Sequence, residues 1–149
     1  MNKLYKFLLI IIFALSPLKA SSHVEHYDSL ELIEFDIYRN DKNIGKHIFS
    51  LKKIDDILVV DSQINFEIKK LGIVLYLYKV NGTEKYKDGK LIEFTSKTNA
   101  NGKNKYVDIK IDKDNYVING SSFKGPAPFD YLIGTWWNHS LIKAPAQIS

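Results

Sequence analysis

Between Leu32 and Asn119 hydrophobic and polar residues alternate with a period of two, interrupted at short intervals by Asp, Asn and Gly. This is the pattern of half-buried strands joined by tight turns. It is clearest where Leu58, Val60, Ser62, Ile64, Phe66 and Ile68 alternate with Asp61, Gln63, Asn65 and Glu67, giving one buried face and one wet face. Strands are expected over residues 32–40, 44–54 and 57–69. A long strand, 73–86, follows, in which Val74, Tyr76, Tyr78, Val80, Glu84 and Tyr86 keep one parity through Asn81-Gly82. That parity argues for one strand bent or bulged at Gly82 rather than a turn.

Opposite residues in a ladder share a face, so the pattern also predicts register. A three-residue loop at Asp41 to Asn43 pairs Phe35 with Phe49 and Ile33 with Leu51. A two-residue loop at Asp55-Asp56 pairs Leu51 with Val60, His47 with Ile64 and Gly45 with Phe66. At Asp88-Gly89 a two-residue loop would set Glu84 against Glu93. A three-residue loop that includes Lys87 avoids this and pairs Glu84 with Ile92, Gly82 with Phe94, and Tyr78 with Thr98. Asn101-Gly102 pairs Ser96 with Val107 and Phe94 with Ile109. A last hairpin at Asp114-Asn115 leads to 116–119. Gly120-Ser121-Ser122 and Gly125-Pro126-Ala127-Pro128 then read as loop, and Asp130 as the cap of a short helix over 131–141.

The expected fold is all-β: an antiparallel meander of about seven strands forming a curved sheet or half barrel, with a short C-terminal helix. One helix is a small cover for so long an apolar face. The sheet must curl around that face, or a ligand, a partner or further chain must cover it.

Composition adds a compartment. Lys3 and Lys6, an unbroken apolar run over 7–15 and Leu18-Lys19-Ala20 have the form of a secretory signal peptide, residues 1–20. The run is shorter than the roughly 20 residues a membrane span needs. A flexible tail, 21–30, and a single β-sheet domain, 31–149, would follow. This places the mature protein in the bacterial periplasm or outside the cell, with no transmembrane helix. Lys3, Lys6 and Lys19 leave with the leader, so 21 basic residues become 18 against 17 acidic ones, a net charge of +1. Arg39 is the only arginine, which argues against nucleic acid as a partner. With no cysteine, a hydrophobic core rather than disulfides must hold the domain.

Several residues are candidates for chemistry. Phe66, Tyr76, Tyr78, Glu84, Tyr86 and Phe94 share the inward face and would line a site for an apolar or amphiphilic ligand; they are equally the makings of an ordinary core. A small hydrolase or isomerase would use one inward polar residue, His47 or Glu84. On the expected register they lie roughly 20 Å apart, beyond the reach of a dyad. The bland reading of Glu84 is a carboxylate bonded to a neighbouring tyrosine hydroxyl. Trp136 and Trp137 are candidates for contact with a partner, since adjacent helical residues cannot both face the core. Cleavage after Ala20 would expose Ser21-Ser22-His23. Its amine, amides and imidazole suit square-planar Cu(II) or Ni(II), with Ser21 and His23 as the metal residues.

The order of several segments resembles a known family. These are Asn43-Ile-Gly-Lys-His47, Tyr76-Leu-Tyr78, Glu84-Lys-Tyr86-Lys-Asp88-Gly89-Lys-Leu91, Thr98-Asn-Ala-Asn-Gly102 and Thr135-Trp136-Trp137-Asn138. They are similar to secreted bacterial proteins known only as a domain of unknown function, and the resemblance carries no activity. Members of that family continue past the Trp-Trp-Asn segment with further strands. The resemblance therefore implies that this chain corresponds to the family's N-terminal part, as a fragment or a shortened member. Together these features lead to the expectation of a non-catalytic envelope protein that binds a lipid-like molecule, or another envelope protein, on its sheet.

Overall fold

A computed structural model describes residues 29–148. The expected leader, tail and Ser21–His23 metal residues lie outside the described residues. Eight strands form one antiparallel meander in sequence order: β1 (Leu32–Arg39), β2 (Lys42–Ile54), β3 (Ile57–Lys70), β4 (Ile73–Lys87), β5 (Lys90–Ala100), β6 (Lys103–Asp112), β7 (Asn115–Gly120) and β8 (Lys124–Ala127). The sheet is open, with β1 and β8 at its edges. β4 runs unbroken through Asn81-Gly82 as expected, and since neither neighbour shows a register shift at Gly82, no bulge lies there.

The β2–β3 register is the expected one, with Leu51 opposite Val60, His47 opposite Ile64 and Gly45 opposite Phe66. So is that of β5–β6, with Phe94 opposite Ile109 and Ser96 opposite Val107. Four hairpins differ from expectation. In β3–β4, Glu84 faces Val60 rather than Leu58, and the β6–β7 turn is Lys113-Asp114 rather than Asp114-Asn115. The other two are shifted by two residues. Between β1 and β2 the turn is Asn40-Asp41, both at positive φ, and a register shift follows at Ile37/Tyr38. Ile33 therefore faces Phe49, and Phe35 faces His47. Between β4 and β5 the turn is Asp88-Gly89, with Lys87 opposite Lys90. A bulge at Ile92 then moves Glu93 opposite Lys85, where the two form an ion pair of 2.9 Å. Glu84 meets Phe94, Gly82 meets Ser96 and Tyr78 meets Ala100. The expected loop avoided a Glu–Glu pair by lengthening the turn; the chain avoids it with a bulge. A shift of two residues keeps every side chain on its own face, so hydrophobic pattern alone does not distinguish the two registers.

The last third departs furthest from expectation. Residues read as loop supply β8, an edge strand, where Pro126 leaves no inner ladder bond unmade. The expected helix over 131–141 is reduced to a 3-10 turn, His139–Lys143. Ahead of it runs β9 (Leu132–Ile133), which pairs in parallel with β10 (Gln147–Ile148). Gly134 and β-branched Thr135 disfavour helix here, and burial of alternate side chains outweighs what remains. Residues 129–148 thus form a strap of extended segments across the apolar face. Beneath it lie Phe49, Leu51, Leu58, Val60, Tyr86, Phe94, Ile109, Tyr116 and Ile118, and the strap adds Ile133 and Trp137.

Candidate functional site

Two sites lie on the apolar face, one under the strap and one beyond it. The first centres on Glu84, which is 1% exposed. Tyr86, two residues along β4 and so on the same face, donates its hydroxyl to Glu84 Oε2 at 2.5 Å. From the strap, Trp137 Nε1 donates to Oε1 at 3.2 Å and to Oε2 at 3.3 Å. The Trp137 indole meets the Tyr86 ring edge-to-face, with centroids 5.6 Å apart. Burial pushes the Glu84 carboxyl up to about 7, against the opposing pull of Tyr86, Trp137 and Thr135. The buried Thr135 hydroxyl lies close enough to favour the carboxylate, yet it makes no hydrogen bond of ordinary geometry. Burial, together with the adjacent Glu84 charge, holds the Tyr86 phenol well above its usual range, so it remains a donor.

The cluster is built from two segments far apart in sequence, Glu84-Lys-Tyr86 and Thr135-Trp136-Trp137-Asn138. Both are among the segments that carried the family resemblance. A family model described as Domain of unknown function (DUF6134) matches residues 35–149. The chain belongs to this family. No curated protein and no solved structure matches it. The matched DUF6134 region takes in nearly all of the sheet, the strap and both sites.

The six residues proposed as one ligand site divide into two groups. Glu84, Tyr86 and Phe94 are core beneath the strap. Phe66, Tyr76 and Tyr78 form a half-buried ladder toward the far end of β3 and β4, with Phe66 5.3 Å from Tyr78 and 6.0 Å from Tyr76 between ring centroids. The bland reading of Glu84 as a carboxylate bonded to a nearby tyrosine describes its geometry well. The tryptophans divide too: Trp137 is 3% exposed and belongs to the core, while Trp136 is 79% exposed.

His47 packs between rings, its centroid 4.1 Å from Phe49 and 6.5 Å from Phe35, and burial holds its imidazole below the usual value. It faces Ile64 on β3, whereas Glu84 faces Val60. The separation is four residues, about 13 Å, instead of the expected six, and it is still too long for direct proton transfer.

The second site is open. Where β4 to β8 run past the strap, Tyr78, Ala100, Val107, Ile118, Tyr131 and Ile148 line a cavity of about 760 Å³. Ser96, Thr98, Lys105, Ser121, Ser122 and Gln147 add polar groups to its wall. Tyr78 joins this cavity to the Phe66–Tyr76 ladder. Sequence reasoning finds Tyr78 but misses the wall that Tyr131 and Ile148 supply, because that segment reads as helix and tail. A larger groove, about 1060 Å³, lies on the wet face of β3 to β6 among Asp61, Gln63, Asn81, Thr83, Asn99 and Tyr106. Its lining is the solvated side of the strand alternation.

Proposed function

We propose that the protein binds an apolar or amphiphilic molecule without transforming it, in the cavity between the open end of the sheet and the strap, and that it does so in the bacterial cell envelope. The cavity carries this reading. Its volume falls within the roughly 300–1,000 Å³ usual for small-molecule sites, and its lining mixes aromatic and aliphatic side chains with polar ones, as an amphiphile requires. A lipid-like chain would lie on Tyr78, Val107 and Ile118, with its polar end toward Lys105 and Ser96. The leader-like N-terminus supports the placement in the envelope.

A hydrolase or isomerase is the second reading. It rests on Glu84, whose carboxyl is poised near 7, in the range useful for proton transfer. Enclosure under Trp137 and Tyr86 argues for a structural role instead, since a general acid must reach its substrate. Neither the apolar cavity nor the wet-face groove is lined by Glu84 or His47.

Native mass spectrometry of the purified protein, followed by thermal melts of delipidated protein with fatty acids and phospholipids, tests the proposal. A bound lipid at a hundredfold excess over its Kd should raise the midpoint on the order of 10 °C. Val107→Trp, which fills the cavity, should abolish that shift. If no lipid co-purifies and no melt shifts, the ligand reading fails.

A further inference from the structure

The turn between β3 and β4 is unlike the other two-residue turns. Five of these open on a polar residue: Asn40-Asp41, Asp55-Asp56, Asp88-Gly89, Asn101-Gly102 and Lys113-Asp114. The sixth is Leu71-Gly72, with Leu71 held at φ 50° where Asn, Asp or Gly would sit with less strain. Leu71 is 93% exposed, and Ile73, Leu75 and Val74 after it are 66%, 54% and 46% exposed.

These three strand residues are consecutive, and Leu75 is the extra residue of a bulge between the Ile68–Tyr76 and Lys69–Val74 pairs. An ordinary edge alternates apolar and polar; here the β4 arm has no polar residue from Ile73 to Leu75, while Lys69 and Lys70 stand opposite Val74 and Ile73 on the β3 arm. The finger also projects. β5 reaches only to Tyr78, with one more hydrogen bond from Asn101 N to Leu77 O. Ile73 to Tyr76, about 13 Å of strand, have no partner strand on that side among the described residues.

Cations line the finger on its β1–β2 side. Arg39 and Lys42 of the β1–β2 turn line one groove together with Lys69, Lys70 and Leu75. Glu67 pairs with Lys69, and Asp41 offsets one further charge, leaving a net positive collar. An exposed apolar patch rimmed by basic residues matches a bilayer with anionic headgroups, in which the apolar residues enter the acyl boundary and the cations meet phosphate.

We propose that the β3–β4 hairpin is a membrane-docking finger, with Leu71, Ile73 and Leu75 entering an anionic bilayer surface and Arg39, Lys42 and Lys70 meeting its headgroups. The Tyr76–Phe66–Tyr78 ladder leads from this finger to the apolar cavity, so docking would place a bilayer at the cavity's approach. The docking itself does not depend on the cavity holding a ligand.

The cysteine-free chain allows a site-specific test. A single cysteine placed by Ile73→Cys, or by Asp56→Cys at the opposite end of β3, is labelled with the environment-sensitive fluorophore NBD. Each protein is mixed with vesicles of phosphatidylcholine alone or containing phosphatidylglycerol. The label at 73 should brighten and shift to the blue with phosphatidylglycerol, more weakly with phosphatidylcholine and at high salt, while the label at 56 stays in water. Adding Leu71→Asp should weaken the response at 73 by about tenfold or more, with an unchanged melt. Arg39→Glu with Lys70→Glu should remove the preference for phosphatidylglycerol. Equal responses at 73 and 56, or a label at 73 that stays in water, overturns the proposal. A blue shift that depends on protein concentration and needs no vesicles assigns the finger to a second copy of this chain and overturns it equally.

Discussion

The two ends of the apolar face are built by opposite rules. At the strapped end a carboxyl group is buried outright, and a phenol and an indole donate to it. At the open end leucine and isoleucine stand in water, with lysines and an arginine beside them. Burying charge and exposing hydrocarbon both cost free energy. At the strapped end the cost is offset in part within the fold, where Tyr86 and Trp137 donate to Glu84 and tie the strap to β4. At the open end nothing within the described residues offsets it, and that imbalance is what points to something outside the chain.

The largest expected effect comes from breaking the strapped end. Trp137→Ala removes a large buried side chain, at a cost of about 3–5 kcal/mol, and leaves Glu84 with one fewer donor. Ending the chain before Asp130 removes the strap entirely and uncovers Phe49, Val60 and Ile109. Domains have only about 5–15 kcal/mol in total, so the truncated chain should aggregate and the point variant should melt far lower. A soluble truncation with a cooperative melt would show that the sheet covers its own face. The corresponding loss at the open end, Leu71→Asp with Ile73→Asp, should leave the melt within about 0.5 kcal/mol of the parent, as for other surface changes.

A smaller effect separates the ends by pH. Glu84 releases its proton near pH 7 in the folded protein and near 4.5 in the unfolded chain. The folded state holds the proton more tightly, so the contribution of Glu84 to stability is greatest below pH 4.5. It falls as pH rises through 4.5 to 7 and is level above that, a change of about 3 kcal/mol. His47 works the other way: its lowered value means that acid costs stability as the imbalance of protonation grows below 6.5. Comparing the parent with Glu84→Gln by denaturant melts from pH 4.5 to 8 isolates the first term. The parent should gain on the variant steadily as pH falls. A constant difference would mean that Glu84 titrates normally.

These two ends are unequally legible in the sequence. The meander is readable because its turns carry Asp, Asn and Gly and its strands alternate cleanly, and the β2–β3 register follows from Asp55-Asp56 alone. The registers at β1–β2 and β4–β5 escape such a reading because a bulge adds one residue without changing faces as seen from the turn. That Tyr86 pairs with Glu84 can be read from their spacing of two on one strand. The Trp137 contact cannot, since 53 residues separate it from Glu84 and its segment has a helical look. The finger is hidden for a different reason. Turn reading searches for polar residues, and Leu71-Gly72 is conspicuous only for having none in its first position.

The smallest expected effect concerns that position. Leu71 adopts a left-handed backbone, which L-residues other than Asn and Asp accept only at a cost. It is nearly fully exposed, so replacing it removes almost no packing. Leu71→Asn should therefore stabilise the isolated protein slightly, by roughly 0.5 kcal/mol or less, because the amide suits both the turn and the solvent. The same change should weaken vesicle binding, since it takes the most exposed hydrocarbon off the finger. Opposite signs in the two measurements, a higher melt and a lower partition, are what a residue retained for contact rather than for folding would give. A Leu71→Asn protein that melts lower than the parent would place Leu71 in the fold's own packing and remove the contrast between the two ends.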